Sequence, residues 1–434
     1  MTPRRIVLAL WDGGGVVPPL MQVARRLTVR GHAVRVIADP TIEAEARTAG
    51  CEFGPWTRAP HRTTRDREAD IIRDYAARSR KEHLEQGLGA YFFKPGLEWT
   101  ADVLAAIDEH QADVVLTDLM VPWGVLAAEI RRLPSAALHT MPYMVPTPGM
   151  TPTGAALLPV PRMLSGPRNL ALRRLIEWVL DRFTADVNRV RLAHGLPPVA
   201  HTFDQIRRAT AQIVLTSRAF DYHGAGAPPM VHWTGPQLDD PLWCEAWNSP
   251  WPAGDSRPLV LVGLSSTYQA QIPLLNRLID ALATLPARAL VTVGPPIREG
   301  EVQGRDNVVV VRSAPHAAVL REAAVLVTHA GHGTTMKGLS AGVPMVCLPM
   351  GRDQDDNAAR VAASGAGIRL SPTASTDQLR HAVSKVLGTA SFREAARRMA
   401  RAIARREGER DVVDLVESLL GSQARTSDAA QAIA

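Results

Sequence analysis

Short, unbroken apolar runs punctuate this chain, and each is followed by a turn and then by apolar residues at helical spacing. Arg5 to Leu10 predicts a strand buried on both faces. Asp12-Gly13-Gly14-Gly15 is the turn after it, and Pro19 to Arg30 a helix with Leu20, Val23, Ala24 and Leu27 inward. Gly31 stops that helix, and Ala33 to Ala38 is the next strand. The rhythm repeats, with strands at Cys51–Phe53, Ala112–Thr117, Ser135–His139, Ala211–Thr216 and Val231–Trp233. A second series follows at Pro258–Val262, Ala289–Val293, Val308–Arg312, Ala323–Val327 and Pro344–Pro349. Helical periodicity covers Thr41–Ala49, Leu97–Glu109, Asn169–His194, Ile272–Leu285, Thr334–Ala341, Thr376–Leu387, Phe392–Glu407 and Asp411–Leu420. Strands alternating with helices predict an α/β fold of doubly wound, parallel-sheet domains.

With 434 residues the chain is too long for one ordinary core. The run from Pro236 to Arg257, with four prolines and three tryptophans, separates the two strand series and reads as a linker. The expected organisation is a first domain over residues 1–236, a linker over 237–257 and a second domain over 258–408. A helix over 409–421 and a polar, frayed tail over 422–434 complete it. Two stretches break the rhythm. Thr57 to Lys94 is polar and charged and reads as a mobile loop and a helix. Met144 to Leu164 is apolar but carries Pro146, Pro148, Pro152, Pro159 and Pro161, so it is not one long helix. Proline-broken apolar chain with methionines suits a pocket for an irregular, greasy ligand, and equally a surface loop packed on the core.

Composition narrows the classes. Apolar residues make up 46% of the chain, an ordinary globular value. The net charge of +6, from 49 basic and 43 acidic residues, gives a mild field suited to an anionic small molecule. No long basic run is interleaved with aromatics, so nucleic acid is a poor partner. Cys51, Cys244 and Cys347 are scattered without metal spacing, which fits a reducing, cytoplasmic setting without disulfides or structural zinc. No apolar run has the length of a membrane span, and the first residues read as a strand rather than a signal peptide.

The chemistry concentrates between Leu326 and Leu370. A strand ends at Thr328, a loop of His329, Gly331, His332 and Gly333 follows, and Thr334-Thr335 opens a helix. Such a turn is an anion site: free backbone N–H groups and the helix dipole face outward, and glycine allows close approach. His329 and the Thr334 hydroxyl add donors for phosphate oxygens. After the next strand, a polar loop carries Asp353-Gln354, an acid beside an amide, which suits sugar hydroxyls.

These residues form H-x-G-x-x-T from His329 to Thr334, G-V-P from Gly342 to Pro344, and D-Q-x-x-N-A-x-x-V from Asp353 to Val361. The segment resembles the donor-binding signature of family 1 nucleotide-sugar glycosyltransferases, particularly bacterial natural-product enzymes. The resemblance implies the GT-B architecture, two facing Rossmann-like domains with a cleft between them. It implies single displacement at the anomeric carbon with inversion, a nucleoside-diphosphate sugar as co-substrate, and neither cofactor nor metal. Partners on this reading are the sugar donor and a hydrophobic acceptor, with the protein a monomer or homodimer. The turn at Gly263 to Thr267 resembles the family's G-S turn, which brings Ser265 and Ser266 beside the donor phosphates. Ser313-Ala314-Pro315-His316 falls where the family lays the nucleotide base. The aromatic common there is absent, leaving Arg312 and His316 as substitutes. The acceptor falls to the first domain, with His61, His139, Met141 and Met144 as candidate contacts.

Two departures stand out. Counting back from Arg30-Gly31-His32, the family's catalytic histidine falls on Val16. Asp118, at a strand end, resembles the aspartate that orients that histidine, and here it has no partner; it also reads as a helix cap. Three answers are open: a neighbouring group has taken over, the acceptor needs no strong base, or the protein is a non-catalytic homologue. Asp12 and Asp118 are the candidate bases, with enclosure expected to raise the Asp12 pKa; an Asx-turn role for Asp12 stands beside it. The second departure is Lys337, where the family has a ribose-binding glutamate. A missing carboxylate fits a deoxyribose, hence a dTDP (deoxy)sugar; a solvent-facing lysine is the plainer reading. An epimerase on the same architecture is a weaker alternative, since it has no use for an acceptor pocket.

Overall fold

The computed structural model describes residues 3–76, 79, 82, 84–148, 150–154, 156, 162–221, 227–241, 244 and 246–420. The first sheet contains β1 (Arg5–Ala9), β2 (Ala33–Ala38), β3 (Glu52–Pro55), β4 (Val114–Asp118), β5 (Ser135–His139), β6 (Ala211–Val214) and β7 (Val231–Trp233). Its order is β3-β2-β1-β4-β5-β6-β7, and every pairing is parallel. The second sheet contains β8 (Leu259–Gly263), β9 (Arg288–Thr292), β10 (Val308–Val311), β11 (Ala323–Thr328), β12 (Met345–Cys347) and β13 (Gly367–Arg369). Its order is β10-β9-β8-β11-β12-β13, again parallel throughout. In each sheet the order reverses beside the first strand, between β1 and β4 and between β8 and β11. Open α/β sheets bind ligands outside the strand ends at such a reversal.

The unbroken apolar runs arise because both faces of each sheet are covered. Along β1, Ile6 and Leu8 enter one core while Val7 and Ala9 enter another. Along β8, Val260 and Val262 face one core, Leu259 and Leu261 the other. The helix Val17–Val29 lays Leu20, Val23, Ala24 and Leu27 into the first core, the face expected from its periodicity. A helix over residues 412–420 returns from the second sheet to the first, adding Val412, Val413 and Val416 to that same core. Arg26 and Arg30 hold its start through Asp411 at 2.5 Å and Asp414 at 2.7 Å.

Several elements differ from expectation. The helix expected over Asn169–His194 is two, Arg162–Leu180 and Thr184–Ala193, with a 3-10 turn at Asp181–Phe183 between them. His201 Nδ1 and the Thr202 amide both close on Asp181 there. The polar stretch after Thr57 is an irregular wall carrying a π-helix at Leu84–Phe93, which buries Tyr91 and Phe92 against Trp99. The segment before the second sheet is packed rather than loose: Trp251 joins the second domain's core, and Asp239 pairs with Arg25. The tail over 422–434 lies outside the described residues. Among the described residues no helix is long and apolar enough to cross a membrane.

Candidate active site

The turns after β1 and β8 meet. Gly14 adopts φ +71°, and a Cβ there would stand 2.5 Å from Ser266 Oγ. A Cβ on Gly333 would stand 3.9 Å from the Gly15 carbonyl oxygen. The glycines therefore let the two domains touch through bare backbone. Around this contact lies a cavity of about 1250 Å³, larger than a single drug-sized ligand needs. Its floor on the second-domain side is polar, with Arg312, Lys337, Arg352 and Arg369 beside Asp353, Asp355 and Asp356. Its wall on the first-domain side is apolar, with Trp11, Phe92, Met120, Met141, Met144 and Ile176 among the lining residues.

The residues named for the donor lie together: Ser265, Ser266, Arg312, His316, His329, Gly331, His332, Gly333, Thr334, Asp353 and Gln354 all line the cavity. The helix after β11 begins earlier than expected, at His332 with Gly331 as its cap. The first intrahelical amide bond runs from Thr335 to the Gly331 carbonyl at 3.0 Å. The N–H groups of His332, Gly333 and Thr334 thus remain for a ligand. A Cβ on Gly331 would lie 2.4 Å from His329 Nε2, so only glycine lets that ring fold over the turn. Burial, then Arg352 and His316, pushes His329 down to about 4. It offers a neutral ring, with Nδ1 unpartnered among the described residues. His332 is held down to about 4 by burial as well, and neither ring nitrogen has a partner of ordinary geometry. His316 accepts or donates to Thr292 Oγ1 at 3.0 Å and lies flat against Gly263, where a Cβ would collide at 2.6 Å.

The structure adds detail to the residues named for the sugar. Gln354 is the first residue of a helix, Gln354–Ala363, while Asp353 stands in the turn just before it and makes no side-chain cap bond. The Gln354 amide is occupied at both ends, accepting from the Met350 N–H at 2.7 Å and donating to Gln269 Oε1 at 2.9 Å. Asp353 accepts from Asn357 on Oδ2 at 2.7 Å. Burial raises its carboxyl above the usual range.

Lys337 does not face solvent. Its ammonium meets Asp240 Oδ1 at 2.5 Å, with 10% and 16% of the two side chains exposed. Asp240 Oδ2 accepts from the Ala317 N–H at 3.1 Å. A carboxylate therefore does stand in this part of the cleft, supplied by the segment between the domains. Asp240 and Arg352 were not singled out from sequence. Arg352, at φ +57°, donates to Thr267 Oγ1 at 3.0 Å and adds positive charge beside the Ser265-Ser266 turn.

On the acceptor side, Met141 and Met144 line the cavity, but His61 and His139 do not. His61 Nδ1 turns to the Ala59 carbonyl at 2.9 Å. His139 is fully buried against Gln212 at 3.2 Å, and burial holds it down to about 4. Val16 lines the cavity and packs on the first core.

The two carboxylates at the β1 and β4 ends diverge. Asp12 accepts from the Gly14 N–H on Oδ1 at 3.1 Å, and from Thr41 at 2.6 Å and Arg65 at 2.8 Å on Oδ2. Burial pushes its carboxyl up, but Arg65 and the Thr41 hydroxyl outweigh burial and leave it below its usual value. This reverses the expected rise and makes Asp12 a poor base; its bond to Gly14 is the Asx-turn role. Asp118 is the opposite case. Burial drives it up to about 7, opposed by the Met120 N–H and the Trp11 side chain. Its Oδ2 and the Trp11 indole nitrogen have no partner of ordinary geometry among the described residues. Asp118 is 1% exposed and lies beneath the cavity wall rather than on it. Among the described residues, no cluster of three histidine, cysteine or acidic side chains is arranged to hold a metal.

Two facing parallel-sheet domains, with a helix start offering free amides on one and an apolar chamber on the other, are the GT-B architecture. Comparison with known proteins narrows the class. Residues 276–419 match the family model described as Erythromycin biosynthesis protein CIII-like, C-terminal domain. The chain is 30% identical to 4'-demethylrebeccamycin synthase of Lentzea aerocolonigenes over 430 residues, 96% of this chain and 99% of that one. Among solved structures, the glycotransferase of kitacinnamycin aligns with TM-score 0.75 at 22% identity, over 96% of this chain and 99% of that chain. The glycosyltransferase VinC in complex with dTDP aligns with TM-score 0.64 at 19% identity, over 97% and 100%. The chain belongs to the family 1-like natural-product glycosyltransferases.

Proposed function

We propose that this enzyme transfers a sugar, a deoxysugar in its natural reaction, from a dTDP donor to a large, mostly apolar aglycone with inversion at the anomeric carbon. The observation that carries this reading is the division of one cavity into an apolar first-domain chamber and a second-domain floor ending on the free amides of His332–Thr334. The diphosphate would lie on those amides, with neutral His329 as donor and with Arg352 and Arg312 near enough to balance its charge. These groups supply the stabilisation of the leaving diphosphate, and the reading calls for no metal. The nucleoside would extend toward His316, Lys337 and Asp240. Asp240 accepts one bond on each oxygen and keeps a lone pair on each for a pentose hydroxyl. The dTDP seen in the VinC complex belongs to that protein, and it lends support to a dTDP donor here. Asp118 is the better of the two candidate bases, because it alone titrates near neutrality.

The test is turnover followed by mass spectrometry, in EDTA, with dTDP-glucose and UDP-glucose against polycyclic phenols and macrolactones. Product should form from the dTDP sugar, with a proton coupling that reports the inverted anomer. The second reading, a homologue that binds the donor without transferring it, draws on Val16 in the histidine's place. Tight dTDP binding without product from any acceptor would favour it over transfer.

A further inference from the structure

The donor signature leaves residues between its fixed positions, and two of them tie the domains together. Asp356 and Arg360 sit four apart on the helix Gln354–Ala363, whose first residues face the cavity. Asp356 Oδ2 accepts from the Gly154 N–H at 2.8 Å, and Oδ1 from the Ala156 N–H at 3.2 Å. Those amides belong to the proline-broken segment of the first domain, which supplies Met144, Thr153, Gly154 and Ala156 to the apolar chamber. Ala156 adopts φ +48°, a left-handed conformation that costs an alanine free energy unless its surroundings hold it. The bond from its own N–H to Asp356 Oδ1 holds it, beside the one from Gly154.

Arg360 secures the other end. Its guanidinium, 2% exposed, reaches Asp221 Oδ1 at 3.2 Å and Thr153 Oγ1 at 3.3 Å, and lies 3.7 Å from Asp356 Oδ1. Asp221 in turn accepts from the Tyr143 N–H at 2.9 Å and the Trp233 indole at 3.1 Å. Thr153 Oγ donates to the Tyr143 carbonyl at 2.9 Å. Gly154 and Ala156 are thus bonded directly to one helix of the opposite domain, and Tyr143 reaches the same helix through Asp221 and Thr153. Charge-assisted bonds away from water are the strong ones, and their removal leaves buried groups unpaired.

We propose that Asp356 is a positioning residue for the acceptor. It fixes the chamber wall at residues 153, 154 and 156 relative to the helix that follows Asp353. This rests on the functional reading above, and it adds that acceptor placement depends on a contact made by the donor domain. The chamber has its present shape only while the two domains are held as they are here.

The test uses the full chain and Asp356→Ala, with Asp356→Asn as a milder variant that keeps one accepting oxygen. Three readouts are combined: dTDP binding by calorimetry, 8-anilinonaphthalene-1-sulfonate as an apolar occupant of the chamber, and hydrogen exchange over residues 143–156. Asp356→Ala should weaken the dye at least fivefold, keep dTDP affinity within twofold, and speed exchange at residues 154–156. Asp356→Asn should fall between it and the native protein. Unchanged dye affinity with intact dTDP binding would overturn the role given to Asp356 alone, as would equal losses of both ligands. Failure of the native protein to bind dTDP would instead sink the functional reading.

Discussion

Asp118 should betray itself in stability before it is tested in turnover. Its carboxyl is pushed from 3.8 up to about 7 by burial, so the folded state holds the proton more tightly than the unfolded chain does. The sign follows. Below about pH 4 both states are protonated and the group is silent. Between about pH 4 and 7 the unfolded chain ionises while the folded one does not, so unfolding becomes easier as pH rises. Above about pH 7 both are ionised and the penalty is constant. Each unit of difference is worth about 1.4 kcal/mol, so the interval from about pH 5 to 8 costs the native protein roughly 2–3 kcal/mol through this one group. Asp118→Asn keeps the shape and removes the charge. Urea denaturation of both proteins should show the variant gaining roughly 2–3 kcal/mol relative to native between those two pH values. Other shifted groups, such as Asp39 raised to about 6 by burial and His329 lowered to about 4, act in both proteins and cancel in the difference. A difference that does not change with pH refutes the argument, because it means that Asp118 is already ionised at about pH 5.

His329→Ala should weaken dTDP roughly tenfold, the worth of one hydrogen bond to a charged group, and calorimetry that shows full affinity removes the residue from the phosphate site. Asp353→Ala should leave dTDP affinity intact and cut turnover; equal loss of both means that the residue serves only the turn in which it stands. Asp240→Asn breaks the pair with Lys337 and should lower dTDP affinity more than pyrophosphate affinity, a gap that disappears if the pair lies away from the nucleoside. Asp12→Asn should spare turnover beyond a small stability effect, whereas Asp118→Asn should cost about 10²–10⁴ if that carboxyl takes the acceptor proton. Val16→His should raise turnover if the histidine's place is vacant, and lower it if the valine packs against the acceptor.

Sequence pattern recovered what depends on near neighbours. The buried strands showed as apolar runs because both sheet faces are covered, and the glycine turn at His329–Thr334 showed because it is one continuous segment. β13 escaped, since three residues, one of them glycine, carry no period. The break at Asp181–Phe183 escaped because its cause is a contact with Thr202, 21 residues away. Arg352 escaped because only folding brings it to Thr267, and Asp240 because it stands 97 residues from Lys337. Gln354 was visible, but the commitment of its amide to Gln269, 85 residues back, was not. Asp12 was misjudged for the same reason. Enclosure was legible from its place at a strand end, and Arg65, 53 residues on, was not.

That contrast bears on how the proton leaves the acceptor. Asp12 and Asp118 end adjacent positions of one sheet, near the switch between β1 and β4, and both are buried. One has a guanidinium and a hydroxyl on it and is an anion at any ordinary pH; its contribution is to hold the glycine turn that meets Ser266. The other has a single backbone amide and an unpaired oxygen beneath an indole, which leaves its proton near the point of balance at neutral pH. A histidine above such a group would have been its natural partner, and Val16 cannot be one. The proton affinity that the partner would have modulated is therefore left on Asp118 itself. Lining the wall with Trp11 and Val16 keeps that site dry, which sustains the raised pKa. The same dryness restricts access, so Asp118 can serve only an acceptor whose reacting group reaches past the indole. An aglycone with an acidic N–H or O–H would need little help of this kind, and for it Asp118→Asn would leave turnover nearly unchanged while still altering the pH dependence of stability.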